Sequence, residues 1–450
     1  MSHCSESCIQ TSLPAYIMSH RVLDVATFRD ITGRLKNSGI EANSMADVFT
    51  QDLTLKEIQE KSDKYVLGTV KRTPVAFIFG QGEFLYDTDN KQYIDFQSGV
   101  AVTCLGHSDA DIVEAIRDQA DRVMHTSNLV YNREQALLSE ALIKHSFPGK
   151  VFLCNSGTEA NEAAFKLARL HGQKKGGAIG MLALENSFHG RTFAAMSLTG
   201  QEKIHKGFGP IIPEIKYLPP NDVDQLERAI EENGHNICAL FMELVQGESG
   251  VHPMTREFAQ AARRLTQEND ILLVLDEIQT GMGRTGKLWG YENYEIKPDV
   301  MTLAKGLGAG FPIGAMIVSN KFASLMSTGS HGSTFGGNHL GARVAYETLR
   351  IIMGREILTN VDGISDFMMR RLRVMQTQIP AIKEVRGIGL HIGVELDRPA
   401  AEVGEGCLAN GLIVNITAGS TIRIVPPLNI SLESAAKGLD ILEAELKKLN

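Results

Sequence analysis

Ile271-Leu272-Leu273-Val274-Leu275-Asp276-Glu277 is an unbroken apolar run that ends on two carboxylates. A run this short and uniformly apolar, closed by charged residues, reads as a strand buried on both faces. Working outward, the pattern returns in Val151-Phe152-Leu153-Cys154, Met181-Leu182-Ala183-Leu184, residues 237–242 and Val300-Met301-Thr302-Leu303. Residues 226–233 and 256–269 have helical spacing and lie between some of these runs. Such alternation predicts an α/β domain with a large, mainly parallel sheet, and residues 313–318 add an antiparallel strand.

The flanks read differently. Residues 84–87 and 93–96 surround Asp89-Asn90 in a β-hairpin pattern, and 111–123 has an amphipathic helical period. Residues 339–353 form a long helix leaving the large domain. A helix near 361–376, a β-like run at 389–396, short strands near Leu412 and Ile422 and a terminal helix from Leu432 complete a smaller α+β domain. Short helices at 22–37 and 53–65 are expected in the polar N-terminal stretch. The organisation is therefore an arm over 1–60, an N-terminal part of the small domain over 61–115, the large α/β domain over 116–340, and the C-terminal α+β part over 341–450.

Composition narrows the class. A chain of 450 residues supports a large core or several domains, and 43% apolar with 22% charged residues is a globular mixture. A net charge of -8 supplies no bulk attraction for nucleic acid, and no apolar run reaches the roughly 18 residues of a membrane span. Six scattered cysteines do not form a disulfide framework. Cys4 and Cys8 are two ligands without a second pair, so no metal is expected. Residues 1–20 lack a sustained apolar core, and Asp24 and Asp30 break any Arg-rich, acid-poor pattern. The expectation is a cytoplasmic protein with free thiols.

Ligands of open α/β sheets collect at the carboxyl ends of the strands. Four of the five runs are followed there by chemistry-bearing residues. Asn155-Ser156-Gly157-Thr158-Glu159-Ala160-Asn161 opens a helix whose free N–H groups and dipole suit an anion, although the same residues make a plain helix cap. Ser187-Phe188-His189-Gly190-Arg191-Thr192 brings an aromatic ring, an imidazole and a guanidinium into one turn. Asp276 closes a buried strand, which requires a cationic or hydrogen-bonding partner. Lys305, in Lys305-Gly306-Leu307-Gly308-Ala309-Gly310, is desolvated enough to favour a nucleophilic amine, unless its head simply reaches water. Together these residues describe pyridoxal 5'-phosphate. Its phosphate takes the helix start, its ring faces Phe188, its protonated nitrogen faces Asp276, and its aldehyde reacts with Lys305.

With these residues in place the chain resembles the class III (ω-amino) aminotransferases, in particular the acetylornithine aminotransferase branch. The likeness extends from about Gly80 to the C-terminus. It is carried by Leu105-Gly106-His107, His125-Thr126-Ser127-Asn128, residues 156–161 and 188–192, Gln246-Gly247-Glu248, and residues 276–286, 303–308, 331–338 and 423–427. The resemblance implies fold type I of the pyridoxal-phosphate enzymes and a homodimer with shared active sites. It implies that Gly157 and Thr158 hold the phosphate, that Gln279 sits near the ring hydroxyl, and that Thr334 reaches the neighbouring subunit's phosphate. Ser333 would touch substrate, and Arg191 and Arg423 would hold its carboxylates. Glu248 would cover Arg423 while the amino donor is bound. The family pattern is broken at Ser108-Asp109-Ala110 and at Leu244, and residues 1–60 have no counterpart in it.

The reaction implied is transfer of the terminal amino group of N2-acetyl-L-ornithine to 2-oxoglutarate, in arginine biosynthesis. Ornithine, succinylornithine, succinyl-diaminopimelate and 4-aminobutyrate are rival donors that use the same cofactor residues. A 2,1-aminomutase, which needs no external keto acid, and a cofactor-binding protein without turnover are rivals of other kinds.

Overall fold

The computed structural model describes residues 53–449. The expected helix at 22–37, Cys4 and Cys8 lie outside them. The chain divides into two units, Met1–Arg72 and Thr73–Asn450. In the first, a helix over Leu55–Tyr65 starts at Thr54, whose hydroxyl accepts from the Glu57 N–H while the Glu57 carboxylate accepts from the Thr54 N–H. That reciprocal capping box satisfies two N–H groups that a helix start leaves open.

The second unit is built on a seven-stranded mixed sheet. Its strands in chain order are β1 (Gly149–Cys154), β2 (Gly180–Leu184), β3 (Ile215–Leu218), β4 (Ile237–Met242), β5 (Leu272–Asp276), β6 (Val300–Leu303) and β7 (Gly314–Ser319). They lie in the order β1-β7-β6-β5-β4-β2-β3. Only β7 runs antiparallel to its neighbours. All residues of β2, β4, β5 and β6 are buried. Side chains alternate between the two faces of a strand, and each face has its own core. Leu273, Leu275, Leu240, Met242, Met301 and Leu303 pack on one side. Leu272, Val274, Ala239, Phe241 and Val300 pack on the other, against the alanine-rich face of the helix Gly157–Lys174.

The five apolar runs are all strands, and the antiparallel strand expected near 313–318 is β7. The edge strand β3 has no counterpart among the apolar runs of the sequence. Ile215-Lys216-Tyr217-Leu218 is short and carries a lysine, so it lacks the continuous apolar signature of its buried neighbours. The smaller α+β part contains two four-stranded sheets. One joins Phe77–Gln81, Phe84–Asp87 and Gln92–Asp95 to Leu412–Ile413 from the far end of the chain. The other orders Ile382–Ile388, His391–Leu396, Thr421–Ile424 and Asn415–Thr417. The helices His339–Gly354, Ile357–Gln378 and Leu432–Lys447 correspond to the periodic stretches in the sequence. An α/β fold around a large mixed sheet is consistent with the expectation of fold type I. Among the described residues no helix is long and apolar enough to cross a membrane. No group of three or more His, Cys, Asp or Glu among them is placed to hold a metal.

Candidate active site

A cavity of about 530 Å³ opens at the carboxyl ends of β1, β2, β4, β5 and β6. That volume falls within the roughly 300–1,000 Å³ of small-molecule and cofactor pockets. Of the residues singled out in the sequence, Gly157, Thr158, Phe188, Arg191, Glu248, Asp276, Gln279 and Lys305 line it.

One part of the lining is an anion cradle. Ser156 caps the helix Gly157–Lys174 by accepting from the Glu159 N–H. The N–H groups of Gly157 and Thr158, the first two helical residues, take no acceptor among the described residues. Open N–H groups at a helix start bind anions. Thr158 Oγ1 is 2.7 Å from Thr192 Oγ1 and accepts from the N–H groups of Arg191 and Thr192. This close approach needs glycine at 190, where φ is +140° and a Cβ would lie 2.2 Å from Thr158 Oγ1.

Another part of the lining is acidic and tightly bonded. Asp276 Oδ2 accepts from Asn161 Nδ2 and pairs with His189 Nδ1, both at 2.8 Å, and Oδ1 accepts from the Ile278 N–H at 3.1 Å. These donors compensate the burial of the carboxylate. Burial opposes charge on His189, but the hydrogen bond and charge of Asp276, with Glu243, outweigh it and raise the imidazole pKa. Among the described residues, His189 Nε2 is buried without a partner.

Lys305 follows β6 with φ of +45°, a left-handed backbone unusual for a side chain this long. Burial and the charge of Arg423 lower its ammonium pKa to about 8, against the pull of Asp276, Glu243 and Glu248. A far larger share of this amine is neutral near pH 7 than for a solvated lysine.

Arg423 does not line the cavity but contacts Glu248, which does. Its guanidinium is buried, donating to Asn415 Oδ1 at 2.6 and 3.0 Å and to the Gly247 carbonyl at 3.0 Å. It also meets Glu248 Oε2 at 3.2 Å. The two ends of that ion pair differ, because the Arg423 side chain is 2% exposed and that of Glu248 44%. The Arg191 guanidinium lies 5.6 Å from the centroid of the Phe188 ring, at the exposed rim.

Ser333 and Thr334 are not in the lining. Ser333 Oγ accepts from Asn155 Nδ2 at 3.1 Å, and Asn155 does line the cavity. Thr334 is exposed beside the exposed Phe335. Glu243 is a charged lining residue that carried no expectation from the sequence. Glu243 follows β4, one step beyond the Met242–Leu275 register pair, and so stands beside Asp276. It accepts from the Phe188 N–H at 2.8 Å, and burial pushes its carboxyl up to about 7. The signal was present: Glu243 ends a buried run just as Asp276 does.

The residues fit pyridoxal phosphate. In one lining they combine open N–H groups at a helix start, a buried carboxylate fixed by three donors, and an amine whose pKa is lowered.

The family model for aminotransferase class-III matches residues 68–446. An acetylornithine aminotransferase from Caldanaerobacter subterraneus subsp. tengcongensis is 43% identical over 389 residues, covering 86% of this chain and 98% of its own. A succinylornithine transaminase from Salmonella paratyphi A is 39% identical, covering 86% and 96%. Among solved structures, the ornithine aminotransferase of Toxoplasma gondii ME49 superposes with a TM-score of 0.86 at 29% identity, covering 91% and 99%.

Proposed function

This chain belongs to the class III aminotransferases, whose cofactor is pyridoxal phosphate, and on that premise we propose that it transfers the terminal amino group of N2-acetyl-L-ornithine to 2-oxoglutarate. The products are N-acetyl-L-glutamate 5-semialdehyde and L-glutamate, a step of arginine biosynthesis. The identity shared with acetylornithine aminotransferases over most of the chain supports the donor.

When bound, the cofactor supplies an electron-withdrawing ring that stabilises negative charge on the carbon losing its proton. Gly157 and Thr158 would hold its phosphate, Phe188 would pack on its ring, and Gln279 would serve its ring hydroxyl. Asp276 keeps the ring nitrogen protonated, with Asn161 and His189 fixing the carboxylate. Lys305 Nζ holds the cofactor covalently at rest. With the donor bound, the freed Nζ would take the proton from the amine-bearing carbon as general base. In the return half-reaction it delivers a proton to the keto-acid carbon as general acid. The donor product leaves before the keto acid enters, so the scheme is ping-pong.

One observation carries the pairing of substrates: a fully buried Arg423 covered by a half-exposed Glu248. A buried guanidinium without a counter-charge is costly. Acetylornithine brings only hydrogen to that side of its reacting carbon, whereas 2-oxoglutarate brings a carboxylate. Glu248 neutralises Arg423 in the first half-reaction and swings towards solvent in the second, while Arg191 holds the far carboxylate in both. Ser333, through Asn155, borders the substrate.

The working unit is a homodimer, with Thr334 completing the phosphate site of the neighbouring subunit. Its support is the exposed apolar set Met124, Leu129, Val130, Tyr131 and Phe335. Asn128 Nδ2 pins the first loop to the second by donating to the Ser333 and Gly336 carbonyls. Clustered exposed apolar residues mark interaction surfaces.

Steady-state rates with acetylornithine, ornithine, succinylornithine and 4-aminobutyrate, each with 2-oxoglutarate, test the assignment. The highest kcat/KM is expected for acetylornithine. A higher value for another donor, or turnover without any keto acid, overturns it.

A further inference from the structure

His391 is fully buried, and among the described residues neither ring nitrogen has a partner. A buried imidazole left without a hydrogen bond is costly. Its place follows from Leu390-His391-Ile392-Gly393-Val394. Ile392 and Val394 of the strand His391–Leu396 point into the apolar core, so His391 and Gly393 share the opposite face. Gly393 pairs with Arg423 on the neighbouring strand. His391 is therefore the diagonal neighbour of Arg423 on one face of the sheet. The preceding residue is tethered by Arg284, whose Nη1 donates to the Leu390 and Pro426 carbonyls at 3.0 and 2.7 Å.

The ring reaches Gly247. A Cβ on that glycine would collide with Gln279 Oε1 and lie 3.1 Å from His391 Nε2. The bare face of Gly247 is thus where the imidazole and the amide approach each other. Arg423 Nη1 comes to the same place, donating to the Gly247 carbonyl at 3.0 Å and lying 3.5 Å from Gln279 Oε1. Gln279 itself lines the cavity. Burial and the charges of Arg423, Arg284 and Lys305 hold the imidazole pKa well below its usual value. The ring is neutral near pH 7 and carries one N–H and one acceptor nitrogen. With the N–H on Nε2, the donor faces the same amide oxygen that already faces Arg423.

We infer that His391 is a positioning residue for Gln279: its Nε2–H, directly or through one water, holds Gln279 Oε1 on the Arg423 side, so that the amide NH2 is presented to the ring hydroxyl of the cofactor. A polar pair too wide for a direct bond is routinely joined by one water. The inference rests on the reading of Gln279 as the partner of that hydroxyl. It gives a role to a buried imidazole that the reaction does not use. It also accounts for glycine at 247, where a side chain would drive the two groups apart.

Titration of the apoenzyme with pyridoxal phosphate reads this without turnover. His391→Leu keeps a buried side chain of similar size and removes the donor. One neutral hydrogen bond corresponds to about 2- to 10-fold, and the cofactor dissociation constant is expected to rise by about that factor. His391→Gln carries an amide nitrogen at the ε position and should restore the affinity, whereas His391→Asn, one atom shorter, should not. In a Gln279→Ala background His391→Leu should have no further effect on affinity, because no amide is left to orient. A merely structural histidine would lower Tm equally in both backgrounds and leave the affinity alone. An unchanged dissociation constant in His391→Leu, or an equal rise in both backgrounds, overturns the inference. If His391→Leu fails to fold, the other pair decides, and equal affinity in His391→Gln and His391→Asn overturns it. Gln279→Ala separates the two levels. Unchanged cofactor affinity in that variant overturns the reading of Gln279, whereas weakened affinity there with His391→Leu unchanged overturns only this inference.

Discussion

Asp276→Asn isolates the charge in the acidic part of the lining with almost no change in volume. Asp276 accepts three hydrogen bonds, two on Oδ2 and one on Oδ1. An amide has one oxygen, so its best orientation keeps Asn161 and His189 and turns its NH2 towards the Ile278 N–H. One buried donor is then unpaired, a loss of about 1–3 kcal/mol in stability. The variant also removes the main cause of the raised His189 pKa. A raised folded-state value stabilises below the unfolded value of about 6.5 and loses that contribution as pH rises through the folded value. The stability gap between wild type and variant is therefore widest in mild acid and narrows above neutrality. For catalysis, losing a charge-assisted bond to the ring nitrogen is worth about 1.5–3 kcal/mol, or about 10- to 150-fold in rate. Single-turnover spectra of the amino-donor half-reaction, cofactor titration of the apoenzyme and thermal unfolding across pH measure the three effects. The rate loss is expected to exceed the loss of cofactor affinity. A variant with the parental half-reaction rate would remove Asp276 from its role.

Three other substitutions probe separate parts of the site. Lys305→Ala should abolish the borohydride-trapped adduct and nearly all turnover; an adduct mapped by peptide analysis to another lysine would refute the assignment. Arg423→Ala should slow the 2-oxoglutarate half-reaction far more than the acetylornithine one, and equal damage to both would mean that the Glu248 exchange does not operate. Glu243→Gln addresses a carboxyl pushed up to about 7 from 4.5 by burial. Between those values the folded state binds the extra proton, so this residue makes wild-type stability fall as pH rises from about 4.5 to about 7. The glutamine variant should lack that part of the decline, and an unchanged unfolding profile across this range would show that Glu243 is ionised throughout.

Much of the large domain was legible because its strands are buried on both faces. The apolar run 271–275 predicts a strand and Leu272–Asp276 is one, while the run Val300–Leu303 coincides with its strand. The helix at 256–269 appears as Arg256–Glu268 for the same reason, a strong one-sided period. Lys305, Asp276, Phe188 and Gly157 stood out because each follows such a run, where a parallel sheet gathers its ligands. The edge strand Ile215–Leu218 had no such signature. Glu243, just past the end of β4, is the next step beyond the Met242–Leu275 pair and so matches Asp276 at the end of β5, yet nothing else in its local sequence sets it apart.

Local pattern therefore determined the periods, the buried strands and the residue types at their carboxyl ends, since these depend on neighbours a few positions away. The chain had to close on itself before Asp276 met His189, 87 residues distant, or Arg423 met Glu248, 175 residues distant. No residue in Ser98-Gly99-Val100-Ala101 other than the glycine announces the left-handed backbone that all four adopt. That conformation is imposed by Asp95 on one side and Val425, 327 residues further on than Ser98, on the other. Pairings of this kind depend on which surfaces the packed sheet brings together, and strain survives only where those distant bonds outweigh the preference of the local chain.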